Sequence, residues 1–307
     1  MNPAWSVVLL TTLIGAGQGL FLTLYAIEAA SAMGALAPPG KGYFTAGSLL
    51  AAALMGAGLA ASFFHLGRPE RAWRSAAMWR TSWLSREVIA LPLALALVAA
   101  YGSMHHAGAA RAATLWAGAA GVAACVALFV CTGMIYACVK FLEEWASALT
   151  VLNFALLGCA SGATLAAAWS AAAAPDAAAP VAAWAAIATA LGWATRAAAL
   201  ARNQRLRHKS SLQSAIGIKH ARIEQKAQGA MGGSFNTREF FHGRPRAVLR
   251  AVKAGFLVAA FAAPLALIAA GWFLAAFFVQ FAGLLAERWY FFADARHPQN
   301  LYYQAIS

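Results

Sequence analysis

Apolar residues in this chain come in repeated blocks of about 20, the length of a membrane-crossing helix, separated by short polar or Gly/Pro-bearing breaks. The blocks run roughly over 5–26, 44–65, 86–104, 115–137, 149–169, 181–200, 248–268 and 271–291. They do not show the period-2 alternation of a membrane β-barrel strand. The pattern predicts an all-α integral membrane protein, a bundle of about eight transmembrane helices forming one membrane domain over residues 1–307. The first block follows a start without Lys or Arg, unlike the basic leader of a cleaved signal peptide, and reads as a retained helix. The last two blocks almost touch at Gly271. Pro264 can kink one long helix there, but about 40 apolar residues divide better into two crossings.

Charge fixes the expected orientation. Eight crossings put both termini on one side, together with the loops after the second, fourth and sixth helices. That side holds 21 Lys and Arg residues; the other holds only Lys41 and Arg111. Cytoplasmic loops are enriched in Lys and Arg, so both termini and the loops 66–85 and 201–247 are expected in the cytoplasm. The net charge of +13 is then a property of loops beside anionic lipid headgroups, and no nucleic-acid-binding fold is legible.

Composition agrees: 62% of the 307 residues are hydrophobic and 11% charged. The longest polar interruption, about 45 residues from Arg202 to Arg246, is too short and too charged to build its own core. Chemistry on a large cofactor therefore needs partner chains. Cys125, Cys131, Cys138 and Cys159 lie in apolar runs without a CxxC pair, so they read as packing residues and no metal site is expected. Small residues at Gly15, Gly19 and at Gly56, Leu59, Ala60 suggest close helix approach. The run from Ala171 to Ala179 reads as a low-complexity connector.

The informative segment joins the second and third blocks. It reads HLGRPERAWRSAAMWRTSWLSRE, from His65 to Glu87. His65 ends one apolar run and Glu87 begins the next, so two proton-active side chains can meet at the membrane boundary among Arg and Trp. A quinone site needs an apolar slot for the ring, donors for two carbonyl oxygens, and groups that give or take protons. Ionisable groups at membrane depth are costly and often functional. Arg and Trp are also ordinary interface anchors, and Glu87 can pair with a neighbouring Arg. On the residues alone both readings stand.

Other polar positions rank lower. Gln18 can line the same pocket or merely hydrogen-bond across helices. Glu28, His105 and His106 fall on the opposite face, where solvated loop residues are the default, and Glu143 and Glu144 are expected to be exposed. Haem ligation by two histidines needs them well inside helices. His65 stands at a helix end and the other six histidines are expected in loops or tails, so no haem is expected. A multi-helix transporter remains an alternative, although inverted repeats and paired interrupted helices are not visible.

The segment from His65 to Glu87 resembles the signature of the membrane anchor subunits of dimethyl-sulfoxide-reductase-type molybdoenzymes. The opening NPAWSVVLLTTLIGAGQGL, the loop GGSFNTREFFHG and the tail ERWYFFADARHPQNLYY resemble the members associated with quinone-linked sulfite dehydrogenase. The resemblance implies an eight-helix, haem-free subunit of the bacterial inner membrane. It would hold an iron–sulfur subunit and a molybdopterin catalytic subunit and exchange electrons with ubiquinone or menaquinone. It also implies that His65 and Glu87 serve the quinone, with Arg68, Arg71, Trp83, Ser85 and Arg86 as neighbours and Gln18 as a further contact. A cytoplasmic site favours the sulfite-oxidising type. The alternative is a dimethyl sulfoxide or related reductase anchor that oxidises menaquinol. The basic loop from Arg202 to Arg250, which contains the run Gly232 to His242, is expected to dock the iron–sulfur subunit, the alternative being a mobile lipid-facing loop.

Overall fold

The computed structural model describes residues 4–40, 42–207, 209–223 and 246–296. The central helix is α1 (Trp5–Ala32), packed against α2 (Tyr43–Ser62), α4 (Arg111–Ala137) and α5 (Ala148–Ala173). α3 (Trp83–His106) pairs with α2 and α4, and α6 (Pro175–Gln204) lies along α5. A short α7 (Leu212–Ile216) precedes α8 (Arg246–Leu257), which continues through a wide turn into α9 (Ala263–Ala269) and then α10 (Phe273–Ala293). Among the described residues, seven helices are long and apolar enough to cross a membrane, α8 and α9 together supplying the seventh. α10 has 21 residues, about 30 Å at 1.5 Å per residue, long enough for an eighth crossing, but it carries Gln280, Glu287 and Arg288 and is less apolar than the other seven.

Apolar composition alone does not join helices in lipid; close backbone contact does. Gly15 and Gly19 of α1 meet α5 at Gly158 and Gly162, where a Cβ on Gly162 would collide with the backbone of Gly19 and Leu20. The two helices approach at a distance that only hydrogen side chains permit. Gly56 has open space around it, while Leu59 packs on the core; Gly58 of α2 packs closely on α1, at Ile14 and Leu10.

The split of the last apolar stretch has a local cause. Pro264 has no N–H to give the carbonyl of Ala260, the helix widens over Val258–Ala262, and the Gln280 amide of α10 donates to that carbonyl at 3.4 Å. Gly271, at φ +79°, then reverses the chain. The Ala171–Ala179 run is no connector: α5 continues to Ala173 and α6 begins at Pro175, with Ala174 the single residue between. Helical propensity of alanine carries both ends. His105 and His106 belong to the last turn of α3 rather than to a loop. Arg196 and Arg288, counted above with the loops, are buried inside α6 and α10. The charge bias between the two faces survives their removal.

Candidate functional site

α3 begins where Ser82 caps it, its hydroxyl accepting the Ser85 backbone N–H at 3.3 Å. The Arg86 guanidinium folds the preceding loop against this start. It donates to the Trp79 carbonyl at 2.9 Å and the Arg80 carbonyl at 2.8 Å, and lies 4.2 Å from the Trp83 ring centre. Ser85 is buried. Trp83, Ser85 and Arg86 thus fix the entry of α3 and the direction of the next side chain, Glu87.

Glu87 turns into the bundle, where its Oε1 accepts the Thr132 hydroxyl of α4 at 2.5 Å. Beside it is a cavity of about 10 Å³, room for a single water, lined by Leu10, Ile14, Gln18, Glu87, Phe129 and Phe154 among others. Gln18 is buried and donates to the Cys125 carbonyl of α4 at 2.8 Å. Gln18 thus bridges α1 to α4 and lines the cavity beside Glu87. A carboxylate, a hydroxyl and an amide meet there among aliphatic and aromatic walls. Such a set can hydrogen-bond a carbonyl oxygen and exchange a proton with it.

The rest of the expected set is placed differently. His65 closes the 3₁₀ turn Phe63–His65, and its side chain lies outside the described part of the structure. Arg68 and Arg71 are exposed on the segment around Pro69–Ala76, away from the cavity, and Arg71 makes a surface pair with Glu70 at 3.8 Å. The expected docking run at 232–242 lies outside the described residues.

Sequence reasoning missed Thr132, the donor to Glu87. A lone hydroxyl in the apolar run of α4 was the available signal, but its partner is 45 positions away. It also missed a buried charge cluster behind the aromatic wall. Arg196 Nε lies 2.7 Å from Glu287 Oε1, Arg288 Nη1 lies 3.6 Å from Glu287 Oε2, and the Arg288 guanidinium sits 3.6 Å from the Phe154 ring centre. Tyr136 stacks on Phe154 with ring centres 5.3 Å apart. Glu144, expected at the surface, is buried beside this cluster because the short turn between α4 and α5 folds under the end of α6.

Glu28 corrects the expectation for the opposite face. α1 runs past Ala26 to Ala32 and carries Glu28 into the bundle, where only 3% of the residue is exposed. Its carboxylate accepts the Tyr101 hydroxyl at 2.7 Å and the Thr114 hydroxyl at 2.5 Å, and His105 Nε2 lies 3.3 Å away. His105 in turn stacks on Phe44 at 4.6 Å.

A bundle of long apolar helices defines a multi-pass membrane protein, and similarity to known proteins gives it a family. The profile described as DMSO reductase anchor subunit (DmsC) matches residues 1–223. The chain belongs to this family. It is 54% identical over 325 aligned residues to the sulfite dehydrogenase C-subunit of Allochromatium vinosum, with all of both chains covered.

Proposed function

We propose that this chain is the membrane anchor and quinone-reactive subunit of a molybdopterin and iron–sulfur sulfite dehydrogenase, passing electrons from a partner's iron–sulfur cluster to ubiquinone or menaquinone. The observation that carries the reading is Glu87: an acid held on one side by Thr132, facing a cavity it shares with Gln18 and lined otherwise by apolar side chains. Full-length similarity to a sulfite dehydrogenase subunit favours sulfite as the partner's substrate.

Quinone reduction takes up two electrons and two protons. Glu87 gives or relays a proton at one carbonyl oxygen, Thr132 orients the carboxyl group, and His65 hydrogen-bonds the other oxygen. The donor set suits the headgroup, but a ring needs on the order of 150 Å³. A headgroup therefore enters only by displacing walls of the cavity such as Leu10 and Phe129. The arginines at 68 and 71 act on the exposed face, where the partner sits; Arg86 and Trp83 hold α3. Both termini lie in the cytoplasm with this face, and the partner subunits dock there, on the basic loops 66–85 and 201–247. Deleting 232–243 is expected to release the iron–sulfur subunit from purified membranes.

Glu87→Gln tests the core of the reading. It keeps the size and hydrogen-bonding shape of the side chain but cannot carry the proton. Quinone-linked sulfite oxidation is expected to fall about 10²–10⁴-fold, the usual worth of general acid–base catalysis, while dye-linked activity of the partner is unchanged. Wild-type quinone turnover in this variant rejects the assignment.

A further inference from the structure

On the face that carries Glu87, the end of α4, the turn after it and the start of α5 stand apart from the end of α6 and leave a surface groove of about 660 Å³. Its floor is apolar, with Met134, Val151 and Leu206; its rim carries Lys140, Arg202 and Lys209. The floor residues stand in or just beyond the terminal turns of membrane-crossing helices, at the depth where acyl chains meet headgroups.

The walls are fixed by hydrogen bonds. Arg202 donates to the Glu143 carbonyl at 3.0 Å, the Ala146 carbonyl at 3.2 Å and Asn203 Oδ1 at 2.9 Å, which holds its charge at the rim. The Glu143 carboxylate accepts the Lys209 backbone N–H at 3.0 Å and ties the segment after α6 to the turn between α4 and α5. Among the described residues Glu143 is the single acid lining the groove, against three cations, and Arg205 and Arg207 are exposed on the same segment.

We propose that this groove is a binding site for one anionic phospholipid, its phosphate among Lys140, Arg202 and Lys209 and the start of its acyl chains on Met134, Val151 and Leu206. An apolar floor beneath a cationic rim matches the polarity profile of a lipid molecule at the interface. The surplus positive charge selects an anionic headgroup over a zwitterionic one. Bound there, the lipid bridges the turn between α4 and α5 to the end of α6, so it stabilises the folded chain by an amount that grows with the logarithm of free lipid concentration above its dissociation constant. The proposal rests on the membrane-spanning reading of the chain, is independent of the quinone assignment, and leaves the later part of the basic loop, around 232–243, to the partner subunit.

The test is thermal unfolding of the full chain in neutral detergent, titrated separately with phosphatidylglycerol, phosphatidylcholine and inorganic phosphate. Phosphatidylglycerol is expected to raise the midpoint progressively with the logarithm of its concentration, while the other two leave it unchanged. The Lys140→Glu/Lys209→Glu double variant is expected to need at least about tenfold more phosphatidylglycerol for the same shift, since each interfacial cation is worth about fivefold in lipid affinity. Arg202 is left intact because its hydrogen bonds hold the turn. Should the charge reversals prevent folding, Lys140→Gln/Lys209→Gln is expected to show the same weakening. Equal stabilisation by phosphatidylcholine, an equal effect of phosphate alone, or a wild-type response in the folded variant overturns the proposal. So does cross-linking of Lys140 or Lys209 to a partner subunit that excludes phosphatidylglycerol from the complex.

Discussion

Glu28 and Glu87 are carboxylates of one bundle, near its two opposite faces, and they are held in different ways. Glu28 receives hydroxyls from α3 and α4 and stands against His105 of α3, so three groups from two helices converge on its two oxygens and join α1 to both. Glu87 receives one hydroxyl, from Thr132, and otherwise faces a cavity. A buried acid with its lone pairs taken up by the protein is a joint between helices. One with capacity left over and space in front of it is available to a ligand. The contrast separates architecture from chemistry more sharply than residue type or membrane depth does.

The largest expected effect falls on the joint. Glu28→Leu strips the acceptor from Tyr101 and Thr114 and leaves His105 facing an alkyl chain. Removing one partner of a buried polar set costs about 3–5 kcal/mol, comparable to a large part of a domain's stability. The variant is expected to be lost from membranes or to melt far below the wild type, with quinone-linked and dye-linked activity declining together. A Glu28→Leu chain that accumulates normally and melts like the wild type would break the comparison, because Glu28 would then be dispensable as a joint.

Thr132→Val comes next and acts on the other side of the contrast. Valine keeps the shape of threonine and removes the hydroxyl that orients Glu87. One hydrogen bond to a charged or proton-exchanging group is worth about 1.5–3 kcal/mol, so quinone-linked turnover is expected to fall about tenfold or more, with an unfolding midpoint close to wild type. A matching loss of dye-linked activity would move Thr132 into the structural class with Glu28.

The amino-acid pattern shows the helices and hides the joints. Block length is a property of single segments, and it locates the long apolar helices to within about six residues at each end. Contacts between segments have no such signature. Glu28 reads as a loop residue because the apolar run weakens after Ala26, whereas α1 continues to Ala32 as packing on α3 and α4 stabilises its end. Arg196 and Arg288 read as loop charges for the same reason: the Glu287 that pairs with both is 91 positions from Arg196, and nothing local announces it. Glu87 is legible because it opens an apolar run next to a dense Arg and Trp segment. Its hydroxyl partner is not.

Gln18→Leu is expected to have a smaller effect with a mixed character. The Gln18 amide bridges α1 to the Cys125 carbonyl and also faces the cavity. Losing the bridge costs about 1 kcal/mol because a backbone carbonyl already engaged in its helix keeps that bond. If Gln18 also meets the quinone, the KM for quinone rises several-fold while kcat changes little, the signature of lost ground-state binding. A lowered melting point with unchanged KM would assign Gln18 wholly to the joint.

Arg71→Ala is the smallest of the set and tests the boundary of the site. Its guanidinium is exposed, its pairing with Glu70 at 3.8 Å is a surface contact, and it has no part in the lining of the Glu87 cavity. Exposed pairs contribute about 0–1 kcal/mol and are screened by salt. Melting and the KM for quinone are therefore expected to stay within about twofold of wild type. If the loop from Arg68 to Arg74 instead closes over the bound headgroup, Arg71→Ala raises the quinone KM well beyond that limit. The steepness of that rise with ionic strength then separates a direct contact from long-range attraction, since only the latter fades within a Debye length of about 8 Å at physiological salt.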